Sequence, residues 1–225
     1  MQILQIIVAL AAAAGLGFVL WRKAQSSKTS ALKTPEILFG EIQSLLDSPT
    51  IEPGPTVGTW KLTGHYRGHV FQIQTVIDVL VTRKLPSLWL MVTLPEPQPV
   101  EATFDLMMRP AGPSTFSNFD FLDHVVATPS NFPTHAMIRT DDPLKLPAIE
   151  KILPHLNLFF GPKGKELLVS PKGLRIVVQA AEADRARYGV LREANFGAVV
   201  INADLTVSCL NTLIDLQNAL KESDG

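Results

Sequence analysis

Hydrophobic and polar positions along the chain fall into three regimes. The first is continuous: from Ile3 to Trp21 there are nineteen residues, of which only Gln5 is strongly polar. A helix of that length spans roughly 28 Å at ~1.5 Å per residue, close to the ~30 Å hydrocarbon thickness of a bilayer. It shows no polar stripe of the kind that marks a buried core helix. The run ends in Trp21, Arg22 and Lys23, an aromatic followed by cations, which is how a spanning helix meets the headgroups. A transmembrane anchor is therefore predicted over 1–21.

The second regime is helical and brackets the rest of the chain. Residues 24–33, AQSSKTSALK, are small, polar and unpatterned, and read as a tether. Thr34 is placed as an N-cap, with Pro35 at the first helical position and Glu36 in the first turn. Leu38, Ile42, Leu45 and Leu46 then predict a helix to about Asp47, ended by Ser48-Pro49 and a loop, IEPGPTVG. At the other end, Leu205, Cys209, Leu213, Leu216 and Leu220 form one stripe of an amphipathic helix starting near Asn202.

Between them the period is two. Trp60 and Leu62, then Phe71, Ile73, Ile77 and Val79, then Leu88, Leu90, Val92 and Leu94, then Ala102, Phe104, Leu106 and Met108 predict four strands in an antiparallel meander. Further strands are expected at His135–Thr140, around Leu167–Val169 and Leu174–Gln179, and at Phe196–Ile201. Asp142-Pro143 is a candidate start for a short helix, and Pro147 and Pro154 keep the chain broken to about Leu156. Gly161–Gly164 and Ser170–Gly173 each match a turn with proline second and glycine fourth. The pattern leaves 119–126 untyped, and 181–197 reads equally as helix or charged loop. Strands grouped together with helices at the ends give an α+β class. The predicted architecture is an N-terminal single transmembrane helix (1–21), a basic juxtamembrane linker (22–33), and a soluble domain (34–225). That domain is a mainly antiparallel sheet with flanking helices and the C-terminal amphipathic helix.

Charge sets the orientation. Arg22, Lys23, Lys28 and Lys33 follow the apolar run, and the first acid is Glu36. By the positive-inside tendency the basic flank stays cytoplasmic, giving a single-pass protein with its N-terminus out. A cleaved signal would carry cations ahead of a shorter apolar core, and none stands before Ile3. The alternative, export with cleavage within the Ala11–Ala14 run, leaves the domain on the far side. Trp21, Arg22, Lys23, Lys28 and Lys33 are thus assigned to the membrane interface, with the bilayer as partner.

Composition narrows the function by exclusion. A net charge of −1 argues against a general nucleic-acid binder, which needs excess cations to neutralise phosphates. The one cysteine, Cys209, excludes an intrachain disulfide framework and any zinc site built on paired cysteines. Its place on the helical stripe makes it a buried structural thiol rather than a nucleophile.

Three motifs invite chemistry. His65 and His69 in GHYRGH are a potential metal pair if they share a face. A two-residue loop at Arg67-Gly68 sets Leu62 against Ile73, Lys61 against Gln74 and Thr63 against Gln72, so apolar meets apolar; a three-residue loop breaks that matching. The consistent register puts the two histidines on opposite faces. GPKGKE lacks the Gly-Lys-Ser/Thr of a phosphate loop, and Lys163 and Lys172 sit at opposite ends of one strand. FDFLDH offers Asp120, Asp123 and His124 as a carboxylate–histidine group, weighed against a surface loop with one apolar face. No catalytic residue, metal ligand or cofactor is assigned. The expected function is a non-enzymatic domain, held at the membrane, that binds a protein or lipid. The alternative is a membrane-tethered enzyme with acid–base residues from separate loops.

Overall fold

A computed structural model describes residues 34–55, 58–78, 85–191 and 194–222. The predicted anchor, the basic linker and Trp21, Arg22, Lys23, Lys28 and Lys33 lie outside the described residues. Among the described residues no helix is long and apolar enough to cross a membrane.

Burial alternates most clearly along Ser87–Leu94, and the described strands join into one antiparallel sheet. In chain order they are β1 (Asp47–Pro53), β2 (Trp60–Tyr66), β3 (His69–Asp78), β4 (Ser87–Leu94), β5 (Phe104–Met108), β6 (His124–Val126), β7 (Ala136–Thr140), β8 (Gly164–Ser170) and β9 (Gly173–Glu182). Their spatial order is β1-β2-β3-β4-β9-β8-β5-β7-β6. The fold is α+β, mainly antiparallel sheet with helices on one face.

The β2–β3 hairpin forms in the predicted register: Tyr66 pairs with His69, His65 with Val70 and Leu62 with Ile73. Arg67 and Gly68 make the turn, both at positive φ (50° and 84°), as a two-residue hairpin loop requires. The four-strand meander does not form. It stops at β4, whose neighbour is β9, while β5 pairs with β7 and β8. Alternation specifies which face a side chain takes but not which strand lies beside it. The start of β9 abuts the end of β4: a Cβ on Gly173 would lie 2.5 Å from the Leu94 carbonyl oxygen.

The first predicted helix is also corrected. Only two short turns form, α1 (Pro35–Leu38) and α2 (Gly40–Gln43), interrupted at Phe39. Gly40 weakens a helix at that point, and Phe39 is fully buried. Thr34 is the N-cap residue, without a side-chain cap bond. Asp47 then begins β1 instead of ending a helix. Pro49 and Pro53 are tolerated because β1 is an edge strand; Ser48 at φ 51° and a bulge between Asp47 and Thr50 bend it. Glu52 forms a 3.0 Å ion pair with its cross-strand partner Lys61.

Other elements follow chain order. Phe119–Phe121 is a 3-10 turn, and β6 follows at once. Asp142-Pro143 forms a turn rather than a helix; the Asp142 carboxylate accepts the Leu144 N–H at 3.0 Å. Helical turns α3 (Ile149–Ile152) and α4 (Asn157–Phe160) flank a 3-10 turn at Leu153–His155. The ambiguous stretch contains α5 (Arg185–Leu191). Phe196–Ile201 is not a strand: it packs into the core beside the helices, and the Ile201 N–H donates to Leu38 O at 2.9 Å. The long helix α6 (Ala203–Lys221) is capped by the Asn202 side chain, which accepts the Leu205 N–H at 2.8 Å.

The core lies between one sheet face and α6. Leu62, Phe71, Ile73, Leu88, Leu90, Val92, Leu106, Ile176 and Val178 meet Cys209, Leu210, Leu213 and Leu216, all fully buried. Leu205 packs at its margin, half-buried. At full burial each such side chain contributes roughly 1.5–3 kcal/mol.

Candidate functional site

The opposite sheet face would be expected to meet water, yet part of it is sealed. Thr93, Arg175, Leu168, Asp105, Arg139 and Val125 are successive partners across β4, β9, β8, β5, β7 and β6. One level along, Met91, Val177, Glu166, Met107 and Met137 form the next row. The segment 110–122 covers these rows. Its Phe116 and Phe119 pack with Val76, Met107 and Val177, and Phe116 lies 5.6 Å from the Trp89 ring.

Two carboxyl groups lie beneath that cover. Asp105 is 1% exposed and Glu166 0%. Arg175 donates to Glu166 Oε2 from Nε and Nη2, both at 3.0 Å, and the Ser117 hydroxyl donates to Glu166 Oε1. Burial pushes the Glu166 carboxyl up, opposed by Arg175 and by the Ser117 bond. Burial and the neighbouring Glu166 hold Asp105 well above the usual carboxylate range. Asp105 Oδ1 and Arg139 Nε are buried without hydrogen-bond partners. Two buried like charges on adjoining strands are costly, so burial and the neighbouring Glu166 favour the neutral form of Asp105, while Arg175 supplies the counter-charge for Glu166.

This pair is sealed from solvent. The adjoining cavity, lined by Asp78, Met107, Ser117, Asp120 and Lys165 among others, is about 20 Å³. That suits one water; ligand pockets are typically ~300–1,000 Å³. The cluster is better fitted to holding the cover down. Ser117 ties the cover to β8, and the Ser117 hydroxyl accepts the Phe119 N–H at 3.1 Å. Arg139 continues the tie: its Nη1 donates to Asp120 O (3.2 Å) and Leu122 O (3.0 Å), and its guanidinium lies 5.4 Å from the centre of the Phe119 ring.

The tied segment presents apolar side chains to solvent. Phe121 is 76% exposed and Val125 61% exposed. Val125 is the central residue of β6, the last strand of the sheet, and Phe121 lies just before that strand. Asp120, Asp123 and His124 belong to this same edge. Asp123 and His124 are exposed, and among the described residues no side-chain bond joins them, so they do not assemble an acid–base pair.

The remaining sequence candidates separate. His65 is exposed on the outer face. His69 faces the core side and its Nδ1 lies 3.0 Å from Glu96 Oε1. Glu96 also accepts from Gln217 Nε2 at 3.0 Å. Burial pushes Glu96 up, but the bonds from Gln217 and His69 outweigh it and leave the carboxylate below its usual range. Among the described residues no group of three His, Cys, Asp or Glu is placed to hold a metal ion. Lys163 and Lys172 bracket β8 at its two ends. Cys209 is buried, and burial pushes its thiol up to about 12.

Sequence reasoning missed Asp105, Glu166 and Arg139. Their strands are legible in the sequence, but nothing local marks the alternate positions as buried. The available signal was an acid inside each of two strongly apolar strands, FDLMM and GKELLVS, on a side that a nearby aromatic-rich loop was free to cover.

No family model matches the chain, and no curated protein matches it significantly. Among solved structures, the mycobacterial trehalose monomycolate transport factor A, TtfA, is similar with a TM-score of 0.36 and 9% sequence identity, covering 80% of this chain and 78% of that one. Likeness at that level carries no functional argument.

Proposed function

We propose that this is a single-pass membrane protein whose α+β domain is a binding module for a protein partner, held on the cytoplasmic side. The observation that carries the binding reading is the Phe121–Val125 edge. Two large apolar side chains stand in solvent on a segment clamped by Arg139 and by the Ser117–Glu166 tie. An exposed side chain on a mobile loop is unremarkable; one on a fixed platform beside an open sheet edge is preorganised for contact. Anchoring and orientation rest on the apolar run 3–21 and the four cations behind it.

The test has two arms. Full-length protein should remain in membranes through high-salt and alkaline washing, and a reporter fused after Gly225 should be active only if it functions in the cytoplasm. Activity of an export-dependent reporter, or a mature N-terminus within residues 11–26, refutes the placement. Purification from gently solubilised membranes should recover a stoichiometric partner that Val125→Asp releases; recovery of the protein alone refutes the binding reading.

A further inference from the structure

Every tie between segment 110–122 and the sheet involves a side chain. The segment's own backbone bonds are internal: the Phe121 N–H donates to Asn118 O at 2.9 Å, the Leu122 N–H donates to Phe119 O at 3.3 Å, and Ser114 bridges to Ser117. Among the described residues no backbone bond joins it to a strand. Ser117 on Glu166, the Arg139 guanidinium on the Asp120 and Leu122 carbonyls, and the rings of Phe116 and Phe119 hold it down. Those two rings pack in a cluster with Val76, Met107 and Val177, separate from the main core. Pro110, Gly112 at φ 94° and Pro113 lead into the segment. It can therefore come away without breaking a strand pairing, which is the requirement for a local opening distinct from global unfolding.

We propose that 110–122 is a strap that opens as one unit while the sheet stays paired, and that loss of the proton on Asp105 opens it. The strap carries Phe121, so its opening regulates the contact surface proposed above. Only that consequence rests on the binding reading; the opening itself needs no partner.

The charges beneath the strap set the direction. Asp105 and Glu166 are diagonal neighbours on one sheet face, because Asp105 pairs with Leu168, two residues along β8 from Glu166. Both are buried. Around them stand Arg175 from β9, Arg139 from β7, Lys165 from β8 and Asp120 from the strap itself. Arg175 is committed to Glu166, and Arg139 to the strap carbonyls. Among the described residues no ion pair to Asp105 forms, and its Oδ1 has no hydrogen-bond partner. A charge on Asp105 would thus lie beside the Glu166 carboxylate without water. The closed strap favours the neutral acid; the open strap admits water and lets it ionise. Burial and Glu166 hold Asp105 well above its ordinary 3.8 in the closed form. The closed form therefore keeps a proton that the open form releases. Opening becomes easier as pH rises from about 3.8 to the closed value, by at most ~tenfold per pH unit for one proton, and levels off above it. Burial shifts Glu166 in the same direction.

Hydrogen exchange read by mass spectrometry on the full-length protein in detergent micelles tests this, with each rate divided by the intrinsic rate at that pH. Peptides within 114–122 should show protection at least ~tenfold below that of β4 and β9 at every pH. From pH 5 to pH 7 their protection should fall at least ~fivefold, and Asp105→Asn should remove most of that fall. Ser117→Ala cuts a tie but leaves Asp105 in place; it should lower protection of 114–122 at least ~threefold at every pH and keep the trend. Should Asp105→Asn fail to fold, the wild-type trend and Ser117→Ala decide. Protection of 114–122 equal to that of β4 and β9, protection independent of pH, or a trend undiminished in Asp105→Asn overturns the proposal. None of these results touches the binding reading, because no partner is present; failure to recover a partner from membranes touches that reading alone.

Discussion

Arg175→Met removes the guanidinium that pairs with Glu166 while keeping most of its aliphatic stem. Glu166 is 0% exposed, so water cannot replace the two lost hydrogen bonds. Removing one partner of a buried pair typically costs ~3–5 kcal/mol. The loss has a ceiling, because Glu166 can take up a proton instead. Protonating a carboxyl of ordinary value 4.5 at pH 7 costs about 1.36 kcal/mol for each of 2.5 units, or roughly 3.4 kcal/mol. The expected deficit is therefore ~3 kcal/mol at pH 7, a fall in Tm of roughly 6–12 °C for a domain of this size. Its pH dependence is the sharper test. Without Arg175 the folded-state value of Glu166 rises further above its unfolded value. That raises a stability contribution present below about pH 4.5 and lost as pH climbs through the folded value. The deficit should thus shrink towards pH 4.5 and be largest at pH 7 and above. Glu166→Gln combined with Arg175→Met should recover most of the loss, since no buried charge remains. Urea unfolding followed by tryptophan fluorescence across pH 4.5–8 measures all three variants. A deficit below ~1 kcal/mol, or one independent of pH, or a double variant as unstable as Arg175→Met alone, would refute the ion-pair account.

Three further outcomes are expected. Asp105→Asn should flatten the pH profile, because a folded value held above the unfolded one makes stability fall as pH rises; the variant should gain on wild type from pH 5 to 8 and match it near pH 4 in the same unfolding assay. Cys209 should resist thiol reagents at pH 8 in the folded protein and react on unfolding, and Cys209→Asp should abolish cooperative unfolding by forcing an unpaired carboxylate into the core; fast native labelling contradicts its burial. Gly173→Ala should destabilise by ~1–3 kcal/mol, since its Cβ would press on the Leu94 carbonyl, and a thermal melt equal to wild type would show that β4 and β9 can separate there.

The elements most legible in the sequence are those whose signal is local. The β2–β3 register followed from matching faces around two turn residues, and α6 followed from one apolar stripe with an Asn cap. β1 was hidden because an edge strand buries little: Asp47–Pro53 is mostly exposed, contains two prolines, and carries no alternation to read. The β4–β9 pairing was hidden for another reason. Leu94 and Leu174 are eighty residues apart, and any apolar strand has a face that fits any other. Residues 196–201 failed in the opposite sense. Phe196 and Ile201 are buried and apolar, but they are pinned by the helical layer rather than by a neighbouring strand.

The same distinction governs the site. Carboxylate and imidazole in one short stretch, Asp120, Asp123 and His124, suggest catalysis, yet Asp120 sits in the 3-10 turn and lines the small cavity while Asp123 and His124 stand exposed ahead of and within β6. What converges is remote in sequence: Asp105, Ser117, Arg139, Glu166 and Arg175 come from four strands and a loop. Each looks ordinary in its own window. Their consequence is mechanical. A buried carboxylate must keep its donors, so Ser117 cannot leave Glu166, and Arg139 cannot release the Asp120 and Leu122 carbonyls, without exposing an unpaired group to an apolar interior. The segment between those two ties is therefore fixed at its base, and Phe121 is held out from it beside β6, which lowers the ordering cost of any contact made there.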